Sequence, residues 1–275
     1  MTKPVIKATT LVTEDGVPID AVHLPGPAGL GIVVAHGFTL NWQRPAVWAL
    51  ATRLNRFGGV VSFDFRGHGR SGGRSTLGDE EIKDLAVAVA WARELGYARI
   101  ATVGFSMGAS IVLRHAGLLG GADAVVAVSG PGRWYYRGTK PMRRVHYGIE
   151  HRAGRLILKN FYGTRVSSGR WDPDPVPPAE AAALIAPVPL LIVHGDQDPY
   201  FPVDHAQDVY AAAREPKDLW IVPGFGHAEA SAGPALIDRI GGWLLAPAEA
   251  GTEMGTAPAP GAGTTPAPGA VAERR

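Results

Sequence analysis

Short apolar runs rich in valine and isoleucine recur along the first 246 residues of this chain, separated by stretches with helical spacing, and this alternation restricts the fold more than any other feature. The runs lie at 31–35, 60–65, 100–103, 124–128, 190–193 and 219–222. They are continuous rather than alternating, as expected of strands covered on both faces. Helical stretches fall at 45–57, 79–95, 107–119, 203–214 and 234–245. Strand–helix alternation of this kind predicts a mostly parallel sheet with helices on both faces. Two further runs, 5–13 and 17–24, flank Glu14-Asp15-Gly16 and read as a hairpin at an antiparallel edge.

Two segments stand apart. Residues 248–275 are almost wholly Ala, Pro, Gly and Thr, a composition that cannot bury enough apolar surface to offset ordering, so a disordered tail is expected. Residues 131–178 carry ten Lys/Arg against three acids, a balance of +7; the remaining seventeen bases and twenty-two acids give −5. That shift marks an insertion into a core formed by 1–130 and 179–247.

The chain has no cysteine, which excludes disulfides, thiolate metal sites and a cysteine nucleophile. A net charge of +2 gives no reason to expect nucleic acid. The first sixteen residues hold no apolar run of signal-peptide length, and no stretch reaches the ~18 apolar residues of a membrane span, so a cytoplasmic protein is expected. The sequence carries no signal for an oligomeric state.

Gly104-Phe105-Ser106-Met107-Gly108 matches G-x-S-x-G, but so does Gly69-Arg70-Ser71-Gly72-Gly73. With 36 glycines and nine serines, chance alone supplies the pattern roughly 0.15 times in such a chain, so context must decide. A nucleophilic serine of this type needs a strand directly before it and a helix directly after it. Ser106 has both; Ser71 sits in a Gly/Arg loop with no helix until about residue 79. The same loop fits G-x-G-x-x-G, yet no helix opens behind it to receive a pyrophosphate.

A serine hydroxyl needs a base, and the base needs an orienting group. His227 lies in a Gly-rich loop beyond the last apolar strand, whereas His115 and His205 fall in helices and His146 and His151 in the basic insertion. The carboxylate is Asp196 or Asp198, both just after the 190–193 strand; Asp198 is favoured because Asp196 can satisfy its own turn. The amides of Met107 and Phe38 are placed to receive a developing oxyanion. No metal or cofactor is required by this chemistry.

With His36-Gly37-Phe38, the stretch Asp64 to Ser71, Gly104 to Gly108, His194 to Asp198 and Gly226-His227 in this order, the chain resembles the α/β-hydrolase superfamily over about residues 3–246. It is most similar to the lidded branch that holds esterases, monoglyceride lipases and serine-aminopeptidase-like hydrolases. The resemblance implies an α/β-hydrolase fold with a sheet of about eight strands, a cap at 131–178 and a Ser106–His227–Asp198 triad acting on an ester or related acyl bond of a small molecule. It selects Asp198 over Asp196 and makes the loop around Ser71 a structural feature. Ser106 where other branches carry Asp argues against haloalkane dehalogenase and epoxide hydrolase activities. His36, Trp134 and Tyr135 are candidate substrate contacts, although the cap aromatics could equally serve to hold cap to core. Acyl transfer or cofactor-free perhydrolysis on the same triad, and a non-catalytic binding protein on this scaffold, remain the alternatives.

Overall fold

The computed structural model describes residues 6–27 and 29–246; the expected tail at 248–275 lies outside them. Among the described residues there are eight strands: β1 (Lys7–Val12), β2 (Pro18–Leu24), β3 (Leu30–Ala35), β4 (Gly59–Phe63), β5 (Arg99–Phe105), β6 (Ala124–Val128), β7 (Leu190–Gly195) and β8 (Lys217–Val222). They form one sheet in the order β1-β2-β4-β3-β5-β6-β7-β8. β1 and β2 pair antiparallel, as do β2 and β4, and every later pairing is parallel. The hairpin and parallel core match the sequence reading.

Neighbouring residues of the central strands point to opposite faces, and both faces are apolar. Ile32, Val34, Val60 and Val103 pack with helices α1 (Pro45–Leu54) and α9 (Pro234–Leu245) on one side. Val33, Ala35, Val61 and Ile192 pack with α2 (Glu81–Glu94), α3 (Met107–Leu118) and α7 (Asp204–Ala212) on the other. Period-two burial on a sheet with two covered faces is why the strands read as uninterrupted apolar runs.

The chain leaves β3 toward β4 on one side and returns to β5 on the other. Connections at the carboxyl ends of β3 and β5 therefore diverge, and a crevice opens between them. Ala35 and Gly104 are register partners across this pair. The loop after Ala35 and the turn after Phe105 are thus held side by side.

Polar anchors trim several elements relative to the sequence reading. β4 stops at Phe63 because the Asp64 carboxylate turns the chain, accepting the amides of Trp42 (2.8 Å) and Arg70 (3.0 Å). α1 stops at Leu54 because the Asn55 side chain donates to the carbonyls of Leu24 and Gly58. Arg66 bridges Asp84 of α2 and Asp15 of the hairpin turn, fastening the antiparallel edge to the helical layer.

Four helices were not anticipated from the pattern. Two are short: α6 (Pro178–Ala182) and α8 (Ala228–Ser231). The others, α4 (Lys140–Glu150) and α5 (Arg152–Tyr162), occupy the basic segment between β6 and β7. Their apolar residues do not form one inward stripe; α5 buries Gly154 and Leu158 while Leu156, Ile157 and Phe161 face outward. Apolar residues do recur at helical spacing in both, Met142, Val145 and Ile149 on α4 and Ile157, Leu158 and Phe161 on α5, but much of that face stays exposed.

Burial holds four imidazoles neutral: His36 is pushed down to about 3, and His68, His115 and His205 to about 4. Unfolded histidines protonate below about 6.5 while these do not until much lower. Stability should therefore fall as pH drops through that window, by about 1.4 kcal/mol per pH unit for each such imidazole. Urea unfolding followed from about pH 7 to 4.5 checks this slope. His115→Leu should make it shallower by one imidazole's share; an unchanged slope would contradict the assignment.

Candidate active site

β5 ends at Phe105, α3 begins at Met107, and Ser106 makes the whole connection with φ 52° and ψ −114°. A non-glycine residue held at positive φ costs on the order of 1–3 kcal/mol and persists only where its surroundings dictate it. Here the Ser106 amide donates to the Val128 carbonyl (2.9 Å) and its carbonyl accepts from Ala109 (3.0 Å). The flanking glycines follow from close approach. A methyl group on Gly104 would overlap the Gly108 carbonyl, and one on Gly108 would overlap the carbonyl of Ala35.

His227 lies beyond β8 and immediately before α8. Its Nε2 is 2.9 Å from the Ser106 hydroxyl oxygen, and its Nδ1 is 2.7 Å from Asp198 Oδ2. A carboxylate can only accept, so Nδ1 carries the proton and Nε2 is left to accept from the serine. The other oxygen of Asp198, a fully buried carboxylate, takes the amides of Tyr200 (2.8 Å) and Phe201 (3.1 Å). The rings of Tyr200 and Phe201 pack against the imidazole at 4.3 Å and 5.8 Å. Asp196 serves elsewhere, accepting the Gly224 amide (2.7 Å) within the loop that carries His227.

Helix α3 presents its first amide, that of Met107, at the Ser106 turn. Among the described residues neither this amide nor that of Phe38 has a protein acceptor. Both residues line the same cleft as Ser106 and His227. The cleft has a volume of about 1360 Å³, and the segment between β6 and β7 contributes much of its lining.

The remaining sequence candidates fall in different places. Trp134 and Tyr135 line the cleft and also tie the segment between β6 and β7 together: Trp134 Nε1 donates to the Pro175 carbonyl (2.8 Å), and the Tyr135 hydroxyl to Asp174 (2.5 Å). His36 is a correction. It lies wholly buried beneath the cleft rather than on its wall, with Nδ1 donating to the Gly37 carbonyl (2.8 Å) and Nε2 accepting from the Phe65 amide (3.1 Å). Ser71 is buried too, its hydroxyl donating to the Asp64 carbonyl and accepting from the Asp20 amide.

Two buried acids escaped the sequence reading. Glu81 accepts from Ser75, Thr76, Leu77 and Gly78, holding a loop that lines the cleft. Glu229, two residues past His227, accepts the Gly37 amide at 2.6 Å and lines the cleft beside Ser106. Burial pushes its carboxyl above the usual range. An acid so close to a glycine-rich histidine loop was the only signal available for it.

The alpha/beta hydrolase family model matches residues 32–239. The chain belongs to the alpha/beta hydrolase family. Among relatives of this hydrolase, the monoacylglycerol lipase of Mycolicibacterium smegmatis is 30% identical over 241 residues, spanning 73% of this chain and 81% of the lipase. YfhR of Escherichia coli K12 is 26% identical over 233 residues, 82% of this chain and 74% of its own. The structure of the Pyrococcus furiosus esterase Pf2001 superimposes with a TM-score of 0.69 at 24% identity, covering 88% of this chain and 92% of the esterase.

Removing the Glu229 acceptor should orphan the buried Gly37 amide. Glu229→Leu is expected to lower unfolding stability by about 1–3 kcal/mol, and Glu229→Gln by far less. Because the folded carboxyl titrates above its unfolded value, the wild type also loses stability as pH rises from about 4.3 toward the folded value, and the glutamine variant does not. Urea midpoints across pH for the three proteins test both statements.

Proposed function

We propose that this chain is a serine hydrolase that cleaves a carboxylic ester through an acyl-enzyme. The single observation that carries this reading is the hydrogen-bonded series Ser106 Oγ–His227–Asp198, with spacings of 2.9 and 2.7 Å. The family membership and the names of the lipase and esterase relatives support it.

In this reading His227 Nε2 takes the hydroxyl proton as Ser106 Oγ adds to the ester carbonyl. The negative charge that develops on the carbonyl oxygen is met by the amides of Met107 and Phe38. The imidazolium, stabilised by Asp198, returns its proton to the departing alkoxide, and the C–O bond of the ester breaks. Water then repeats the sequence on the acyl-enzyme: His227 removes its proton, the acid leaves and Ser106 is regenerated. No metal or cofactor enters these steps. Trp134 and Tyr135 belong to the substrate-binding wall, and residues 131–178 form the cap over it.

Ser106→Ala is expected to lower turnover of a short p-nitrophenyl ester by roughly four to six orders of magnitude with the fold intact. Asp198→Asn should cost about four orders, since the amide favours the wrong imidazole tautomer. Wild-type protein should label at Ser106 with a fluorophosphonate. Failure to label, or full ester turnover by Ser106→Ala, would refute the assignment and favour a binding protein on this scaffold. Transfer of the acyl group to added alcohol or peroxide in preference to water would instead favour the acyl-transfer alternative.

A further inference from the structure

Five of the ten bases of residues 131–178 line the cleft, where carboxylates match them. The cleft wall carries five arginines and five carboxylates, so it is balanced. A second group of bases lies outside, in a shallow depression lined by Arg74, Arg152, Arg155, Lys159 and Arg165 with no acid among its walls; Arg155 borders both. Among the described residues none of these five forms an ion pair; Arg74, Arg155 and Arg165 instead donate to backbone carbonyls, such as those of Val166, Ile149 and Gly73.

The same helix exposes apolar side chains to solvent. On α5, Phe161 is 78% exposed, Leu156 58% and Ile157 50%. At 100° per residue Arg152, Arg155 and Lys159 fall along one flank with Leu156 beside them, Gly154 and Leu158 face the protein, and Ile157 and Phe161 lie on the other flank, with Ala153 and Asn160 exposed between. Leu156 lies in the basic depression and Ile157 at the cleft wall, so the outward face runs from the cations to the cleft.

We propose that this face of α5 docks peripherally on an anionic lipid surface, apolar side chains entering the headgroup boundary and the flanking cations meeting lipid phosphates. Outward apolar residues edged by Lys/Arg are the pattern such surfaces recognise. No helix among the described residues is long and apolar enough to cross a membrane, which leaves contact in the plane of the surface. A second copy fits poorly: a two-fold contact would set five unpaired cations against five. Docking would bring the cleft against the lipid. On the ester reading above, on which this clause alone rests, the substrates are esters delivered from a lipid phase.

The test is flotation of the full chain with vesicles of phosphatidylcholine alone and of phosphatidylcholine mixed with phosphatidylglycerol. Partition into the anionic vesicles should be at least about tenfold stronger and should weaken with added salt. Arg152→Gln/Lys159→Gln should lose about fivefold per cation. Leu156→Ser/Phe161→Ser should lose about tenfold or more. Both double variants should keep wild-type turnover of a short soluble ester. Ser106→Ala should float like wild type, which separates failure of docking from failure of the ester chemistry. Absent or equal partition, or retention by the double variants, overturns the proposal. So does a concentration-dependent dimer abolished by Leu156→Ser/Phe161→Ser, which would assign this face to a second copy.

Discussion

The contact on which the rest depends is the approach of α3 to the carboxyl ends of β3 and β5, with no side chain between the backbones. Gly104 and Gly108 bring β5, the helix start and the Ala35 carbonyl within touching distance. That closeness holds Ser106 at positive φ and aims the first amide of α3 at the turn. It also puts the loop after β3 beside the hydroxyl, so the strain at one residue is balanced by packing across three elements.

A second layer of order comes from carboxylates that hold backbone rather than substrate. Asp64 gathers the Trp42 and Arg70 amides, Glu81 the loop at 75–78, Asp196 the Gly224 amide and Glu229 the Gly37 amide. Each fixes a loop that has no regular hydrogen bonding of its own, and the loops held by Glu81 and Glu229 line the cleft. Glu229 is the most consequential. It follows His227 by two residues and grips the residue before Phe38, so the loops carrying His227 and Phe38 are tied together.

Much of this arrangement was legible in the chain. Parallel strands announce themselves because both sheet faces are apolar, and Ser106 stands out from Ser71 because only it separates a strand from a helix. Asp198 could be preferred to Asp196 only weakly by spacing, because the difference is which carboxylate reaches the imidazole across 29 residues. His36 misled because a histidine at a strand end beside Ser106 looks reachable; its ring instead turns inward to serve Gly37 and Phe65. Glu81 and Glu229 were invisible for a related reason: buried acids that bond only amides leave no pattern of residue types. Helices α4 and α5 do carry apolar residues at helical spacing, such as Ile157, Leu158 and Phe161, but the charge surplus of their segment is the more conspicuous signal.

The segment between β6 and β7 leaves and rejoins the core at almost one point. The Gly132 carbonyl accepts from the Ala179 amide (3.0 Å), and the Gly132 amide donates to His205 on α7 (3.1 Å). A loop whose ends are already clasped adds little closure entropy as it lengthens, because that cost grows only with the logarithm of length. Ser106, His227 and Asp198 all lie on the other side of the clasp. The intervening stretch can therefore be shortened, extended or exchanged like a fitting on a common socket, changing what reaches the serine without disturbing how the serine is held.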